Sequence, residues 1–93
     1  MIRSFRDRET ATVWSREYSK KLPDDIQERA LMKLQQLHAA SDLKDLSIPA
    51  SNQLEALKGD RKGEYSIRIN KQWRICFKWN DGEASEVEIA DYH

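Results

Sequence analysis

Tyr65-Ser66-Ile67-Arg68-Ile69-Asn70-Lys71-Gln72-Trp73-Arg74-Ile75-Cys76-Phe77-Lys78-Trp79 is the stretch in which the hydrophobic period becomes two. Tyr65, Ile67 and Ile69 alternate with Ser66, Arg68 and Asn70, and Trp73, Ile75, Phe77 and Trp79 with Arg74, Cys76 and Lys78. Successive side chains of a strand point to opposite faces, so each run reads as a half-buried strand. If Ile69 and Trp73 both face inward, the connecting turn has an odd number of residues, and the tightest choice is Asn70 to Gln72. That register sets Ile67 opposite Ile75, Tyr65 opposite Phe77 and, on the polar face, Arg68 opposite Arg74. Downstream, Val87 and Ile89 alternate with Glu86, Glu88 and Ala90. Parity then predicts a three-residue loop, Asp81 to Glu83, with Phe77 opposite Val87, Lys78 opposite Glu86, Cys76 opposite Glu88 and Arg74 opposite Ala90. The result is a three-strand antiparallel meander.

Upstream the pattern is helical. Met1 to Phe5 is a short strand candidate anchored by Ile2 and Phe5. Asp7 can cap a helix running to about Lys20, with Ala11, Trp14 and Tyr18 on one face. Leu22-Pro23-Asp24-Asp25 reads as a second helix start, because proline suits the first turn and acids suit the positive end of the helix dipole. Ile26, Ala30, Leu34 and Leu37 give that helix an apolar stripe ending near Ala40. Residues 41 to 57 read as a loop with one helical turn, and Lys58 to Gly63 as a polar turn. The order is strand, two helices, three strands: an α+β domain over residues 1–93, helices on one face of the sheet.

Composition bounds the function. Sixteen basic and sixteen acidic residues balance to zero net charge, which argues against wholesale attraction to nucleic acid but leaves local patches open. The single cysteine, Cys76, cannot close an internal disulfide and has no CxxC partner for zinc. No apolar run reaches the roughly 20 residues of a membrane span, and the N-terminus lacks the apolar stretch of a signal peptide, so a cytoplasmic protein without a membrane or a metal cofactor is expected.

The polar face of the meander carries the chemistry. Like charges directly opposed across strands are destabilising, and arginine forks suit a shared carboxylate or phosphate, so Arg68 opposite Arg74 calls for a counter-ion. Glu88, diagonal to Arg74, is the ordinary structural answer. Beyond Ala90, however, Asp91, Tyr92 and His93 emerge at the same end of the sheet. Between Lys58 and Lys78 seven basic residues (58, 61, 62, 68, 71, 74 and 78) face two acidic ones (60 and 64), a local excess of five in a neutral chain. A basic stretch leading to an acid, a phenol and an imidazole is the footprint expected for RNA phosphate. Singly these residues are ordinary: His38 suits a helix C-terminus, and Cys76 fills space on the polar face.

The segments Leu54-Glu55-Ala56-Leu57-Lys58-Gly59-Asp60-Arg61, Tyr65-Ser66-Ile67-Arg68-Ile69-Asn70, Gln72-Trp73-Arg74-Ile75-Cys76-Phe77 and Asp91-Tyr92-His93, with the opening Met1-Ile2-Arg3-Ser4-Phe5, resemble the HigB toxins of the RelE/ParE superfamily, also called plasmid maintenance or host-killing proteins. The resemblance covers essentially the whole chain. It implies a RelE-like fold and ribosome-dependent, metal-free cleavage of mRNA by a type II toxin. It also implies a helix-turn-helix antitoxin of the HigA type as partner, with operator DNA reached only through that antitoxin. By position it carries over Asp91, Tyr92, His93, Arg68 and Arg74 as catalytic residues, with Lys58, Arg61 and Lys71 as RNA contacts. Glu55 stands where some members have histidine, which makes it a candidate base and puts a two-histidine scheme in doubt. Two other readings belong to different classes: a ParE-like toxin that binds DNA gyrase without catalysis, and an antitoxin-docking module whose arginines hold an acidic peptide.

Overall fold

The computed structural model describes residues 1–92; His93 lies outside the described residues. Two helices, α1 (Arg8–Trp14) and α2 (Asp24–Ala39), precede an antiparallel sheet of β1 (Glu55–Ala56), β2 (Glu64–Arg68), β3 (Trp73–Asn80) and β4 (Glu83–Asp91), in spatial order β1-β2-β3-β4. Ile67, Ile75, Phe77, Val87 and Ile89 form the inner face and pack with Val13, Ile26, Ala30, Leu34 and Leu37 of the helices in one core. No helix among the described residues is long and apolar enough to cross a membrane.

Parity fixes the first hairpin as expected: Tyr65 pairs with Phe77, Ile67 with Ile75 and Arg68 with Arg74. Asn70 Oδ1 accepts from the backbone N–H of Gln72 and Trp73, each at 2.8 Å, which closes the turn. The second hairpin differs. Asn80 pairs with Glu83, so the loop is the two residues Asp81 and Gly82, both with positive φ (51° and 77°). Two such residues make the tight turn whose twist matches antiparallel strands. An even loop would turn the apolar residues of β4 outward. A bulge corrects this: Cys76 pairs with Glu88 but Lys78 with Ser85, so Glu86 and Val87 share the place opposite Phe77, and Glu86 has φ 48°. Arg74 opposite Ala90 and Cys76 opposite Glu88 survive. Lys78 loses Glu86 as register partner yet keeps it as an ion pair at 2.6 Å.

The bulge also shapes the N-terminal segment. Instead of a full strand ladder, residues 1–6 make two isolated parallel bridges to β4, Ile2 with Ala84 and Phe5 with Val87. The Glu86 N–H, turned aside by the bulge, donates to Ser4 Oγ at 2.9 Å. Helix α1 stops six residues before the expected Lys20. Arg16 adopts φ 65°, which ends the helix, and Tyr18 projects to solvent while Ser19 is buried, bonded to Glu9 and Gln27. Helix α2 starts and stops where its proline and apolar stripe place it. His38 near its end does more than face the dipole: its Nδ1 accepts from the Ile2 N–H at 3.1 Å, and its ring lies 5.1 Å from Trp14. The expected loop 41–57 holds two short 3-10 turns, Leu43–Ser47 and Ala50–Asn52, and the edge strand β1. No periodicity marks β1, since two residues are too few to show one.

Candidate functional site

Arg74 organises the outer face of the sheet. Its side chain is 7 % exposed, and its guanidinium is held on every edge. Nε donates to Ser66 Oγ at 2.8 Å, and Nη2 donates to the Gln53 carbonyl. Nη1 lies 3.5 Å from Glu55 Oε1. Each contact has a local cause. Ser66 pairs with Cys76, which places it diagonally beside Arg74. Gln53 takes the left-handed conformation, φ 44°, at the end of the second 3-10 turn, and that aims its carbonyl at the arginine. Glu55 pairs with Ser66 across β1 and β2 and so reaches the same face. The expected counter-ion Glu88 is engaged elsewhere, and Glu55 neutralises Arg74 instead.

Glu88 and Glu64 belong to a second cluster. Arg61 Nη2 is 2.8 Å from Glu64 and 2.7 Å from Glu88, and Arg6 reaches Glu64 at 3.3 Å and Glu88 at 3.1 Å. Although burial acts against its charge, Glu64 is held below the ordinary carboxylate range by Arg61 and Arg6. Burial likewise opposes the Arg61 guanidinium, but its hydrogen bonds to Glu64 and Glu88 push its pKa up. Cys76 is fully buried, and that burial pushes its thiol up, away from the reactive thiolate. Arg6 could not have been found from the sequence, because it reaches this face across an N-terminal segment with no strand register.

The sequence-predicted residues therefore separate. Arg74, Glu55, Asp91 and Tyr92 share one end of the sheet. Asp91 pairs with Trp73 and accepts from Gln72 Nε2 at 3.3 Å, and the Tyr92 N–H donates to the Gln72 carbonyl at 2.6 Å. The Tyr92 ring, 42 % exposed, sits 6.0 Å from the Arg74 guanidinium carbon. Arg68 starts directly opposite Arg74 but lines a cleft with Arg29, Lys33 and Lys71. Lys58 is exposed, with no ion pair among the described residues, whereas Arg61 is committed to its two glutamates. The proposed roles of His93 fall outside the described residues.

A half-exposed carboxylate on a buried guanidinium, with an open aromatic face beside it, is an arrangement in which an incoming anion can replace the carboxylate. The comparison with known proteins agrees in kind. Residues 3–93 match the family described as RelE-like toxin of type II toxin–antitoxin system HigB. The chain belongs to this family of toxins. Toxin HigB-1 of Vibrio cholerae serotype O1 is 46 % identical over 63 residues, 68 % of this chain and 66 % of that protein. The Endoribonuclease HigB of Proteus vulgaris is 30 % identical over 93 residues, the full length of both. An uncharacterized protein of Haemophilus influenzae is 33 % identical over 69 residues, 74 % of this chain and 68 % of that one. Membership carries an antitoxin partner with it, and the α+β arrangement of two helices on an antiparallel sheet is that of a RelE-like toxin.

Proposed function

We propose that this toxin is a cytoplasmic endoribonuclease that cuts mRNA on the ribosome and so stops translation, and that an antitoxin of the HigA helix-turn-helix type restrains it. The observation that carries the reading is the pre-set Arg74 guanidinium between Glu55 and the open Tyr92 ring. The similarity to a full-length endoribonuclease supports it. Operator DNA would be reached through the antitoxin alone.

In this reading the RNA 2′-oxygen attacks the adjacent phosphorus, the bond to the 5′-oxygen breaks, and the products are a 2′,3′-cyclic phosphate and a 5′-hydroxyl. The proton of the 2′-hydroxyl passes to a base, and a second proton goes to the leaving 5′-oxygen. His93 is assigned one of these transfers, as suits an imidazole near pH 7, with Asp91 orienting it or taking the other. Arg74 stabilises charge on the phosphorane, where preorganised donors act most strongly. Tyr92 stacks on a base splayed out of the strand. Glu55 is assigned as the resting counter-ion of Arg74, displaced by the phosphate; Lys58 and Lys71 contact the RNA backbone. Arg61 holds the outer face in place through Glu64 and Glu88.

Primer extension on cellular mRNA after brief induction tests the reading. Cuts within translated codons, lost on deleting His93 from a protein that still folds, are the expected result. Intact mRNA accompanied by DNA damage would indicate gyrase poisoning and overturn it.

A further inference from the structure

Arg68, Ile69, Asn70 and Lys71 at the first hairpin face Arg29, Met32 and Lys33 of α2 and Ser51 across a cleft of about 510 Å³. Four of these residues are cationic, and among the described residues none of the four makes an ion pair. Two of the cations are anchored by hydrogen bonds. Arg29 Nη1 donates to the Ile69 carbonyl at 3.3 Å, which ties α2 to the end of β2. Lys33 is buried, at 8 % exposure, and its ammonium donates to Asn52 Oδ1. Asn52 is itself fully buried and locked by its amide to the Leu46 carbonyl at 3.1 Å and Gln36 Oε1 at 3.2 Å. An ammonium has three N–H donors, and Asn52 takes one. Burial, and after it the nearby Arg29, push the Lys33 ammonium below its ordinary pKa.

We infer that this cleft is a phosphate-binding subsite that holds the RNA strand one or two nucleotides away from the cleavage position. The inference rests on the nuclease reading and extends it to residues of α2 that no sequence pattern marked. Placement supports RNA over a peptide carboxylate. Arg68 in β2 and Asp91 in β4 flank β3, two strand spacings or about 10 Å apart, and the same hairpin turn borders both the cleft and Tyr92. A single strand running past Tyr92 reaches the cleft around this turn.

The test uses the full chain and a fluorescent 12-nucleotide single-stranded RNA with 2′-O-methyl groups, which cannot be cut by 2′-attack. Anisotropy titrations between 50 and 200 mM salt give affinity and salt slope. Arg29→Gln, at an exposed position, is expected to weaken binding about threefold to tenfold and to reduce the slope by about 0.7, the loss of one phosphate contact on a single strand. Lys33→Gln should do the same where its melting curve shows a folded protein. Lys20→Gln, an equal loss of charge at an exposed position outside the cleft, should leave the slope unchanged. Wild-type affinity and slope in Arg29→Gln overturn the inference, as does no binding of the RNA by the wild type. So does a defect in antitoxin binding with RNA binding intact. Cleavage of unmodified ribosome-bound mRNA, measured in parallel, reports on the nuclease reading separately: a toxin that cuts normally but binds RNA independently of Arg29 refutes only the subsite.

Discussion

Glu55→Gln decides between two roles for one carboxylate. Glu55 Oε1 lies 3.5 Å from Arg74 Nη1, with side-chain exposures of 52 % and 7 %. A phosphate that uses Nη1 must displace it. Two unit charges about 4 Å apart interact by about 1 kcal/mol in water and about 4 kcal/mol at an effective dielectric of 20. A carboxylate more than half exposed belongs near the lower value, in line with the 0.2–1 kcal/mol typical of exposed pairs. Removing the competitor is therefore worth about 1 kcal/mol to the incoming phosphate, or about a fivefold fall in KM. Arg74 keeps Ser66 and Gln53, so it stays in place. The expected result in single-turnover cleavage of ribosome-bound mRNA is a KM about fivefold lower and a maximal rate within about twofold of wild type. If Glu55 is instead the base that takes the 2′-proton, the amide removes a contribution of about 10²–10⁴ in rate. A rate loss of that size, with the acidic limb of the pH profile gone, refutes the counter-ion assignment.

Glu64→Gln tests the second cluster. The folded pKa of Glu64 is depressed, so its stabilisation is fully present above the unfolded value near 4.3 and is lost as pH falls through the lower folded value. The variant should be about 2–3 kcal/mol less stable at pH 7 by urea denaturation, below the full penalty for breaking a buried pair because Arg6 and Arg61 retain Glu88; the gap should shrink towards pH 3, and a gap independent of pH counts against the ion-pair account. Phe77→Ala empties a fully buried position between the helices and the sheet and should cost about 3–5 kcal/mol, seen as a fall in Tm of about 12 °C or more. Gly82→Ala should cost about 1–2 kcal/mol in the same assay, since φ is 77° there and a Cβ would stand 3.2 Å from the Ser41 carbonyl. Arg74→Lys keeps the charge but loses the fork to Ser66 and Gln53, so cleavage should fall at least tenfold even where circular dichroism shows the fold retained.

Alternation over Tyr65–Trp79 carried the first hairpin completely, because a shift of one residue would turn every apolar side chain of the sheet to solvent. The same constraint acted at the second hairpin, but parity has two solutions. An odd loop satisfies it, and so does an even loop with one bulge. Asp81-Gly82 supplies two positive-φ residues and selects the second. That choice decides the N-terminal segment as well, since the bulge at Glu86 breaks the ladder that residues 1–6 would otherwise complete. Helix α1 misled for another reason: Ala11, Trp14 and Tyr18 fit a helical face, but the left-handed Arg16 interrupts it, and nothing in the composition of that stretch announces the change.

At the site, register placed Arg68 opposite Arg74 and both near Asp91, yet it could not divide their partners. Opposed like charges relieve their repulsion either by sharing a counter-ion or by diverging. Sharing would use Glu88, diagonal to Arg74. The protein diverges. Arg74 turns to Glu55, Ser66 and Gln53, all delivered by the aperiodic segment before β2, and Arg68 opens to the cleft beneath α2. Glu88 is thereby left to Arg6 and Arg61. The consequence is functional as well as structural. One opposed pair supplies a guanidinium neutralised by Glu55, which the phosphate displaces in the proposed mechanism, and an arginine that makes no ion pair among the described residues, in a cationic cleft next to it. In a chain of zero net charge, the guanidinium beside Tyr92 and the four cations of the cleft lie at one end of the sheet.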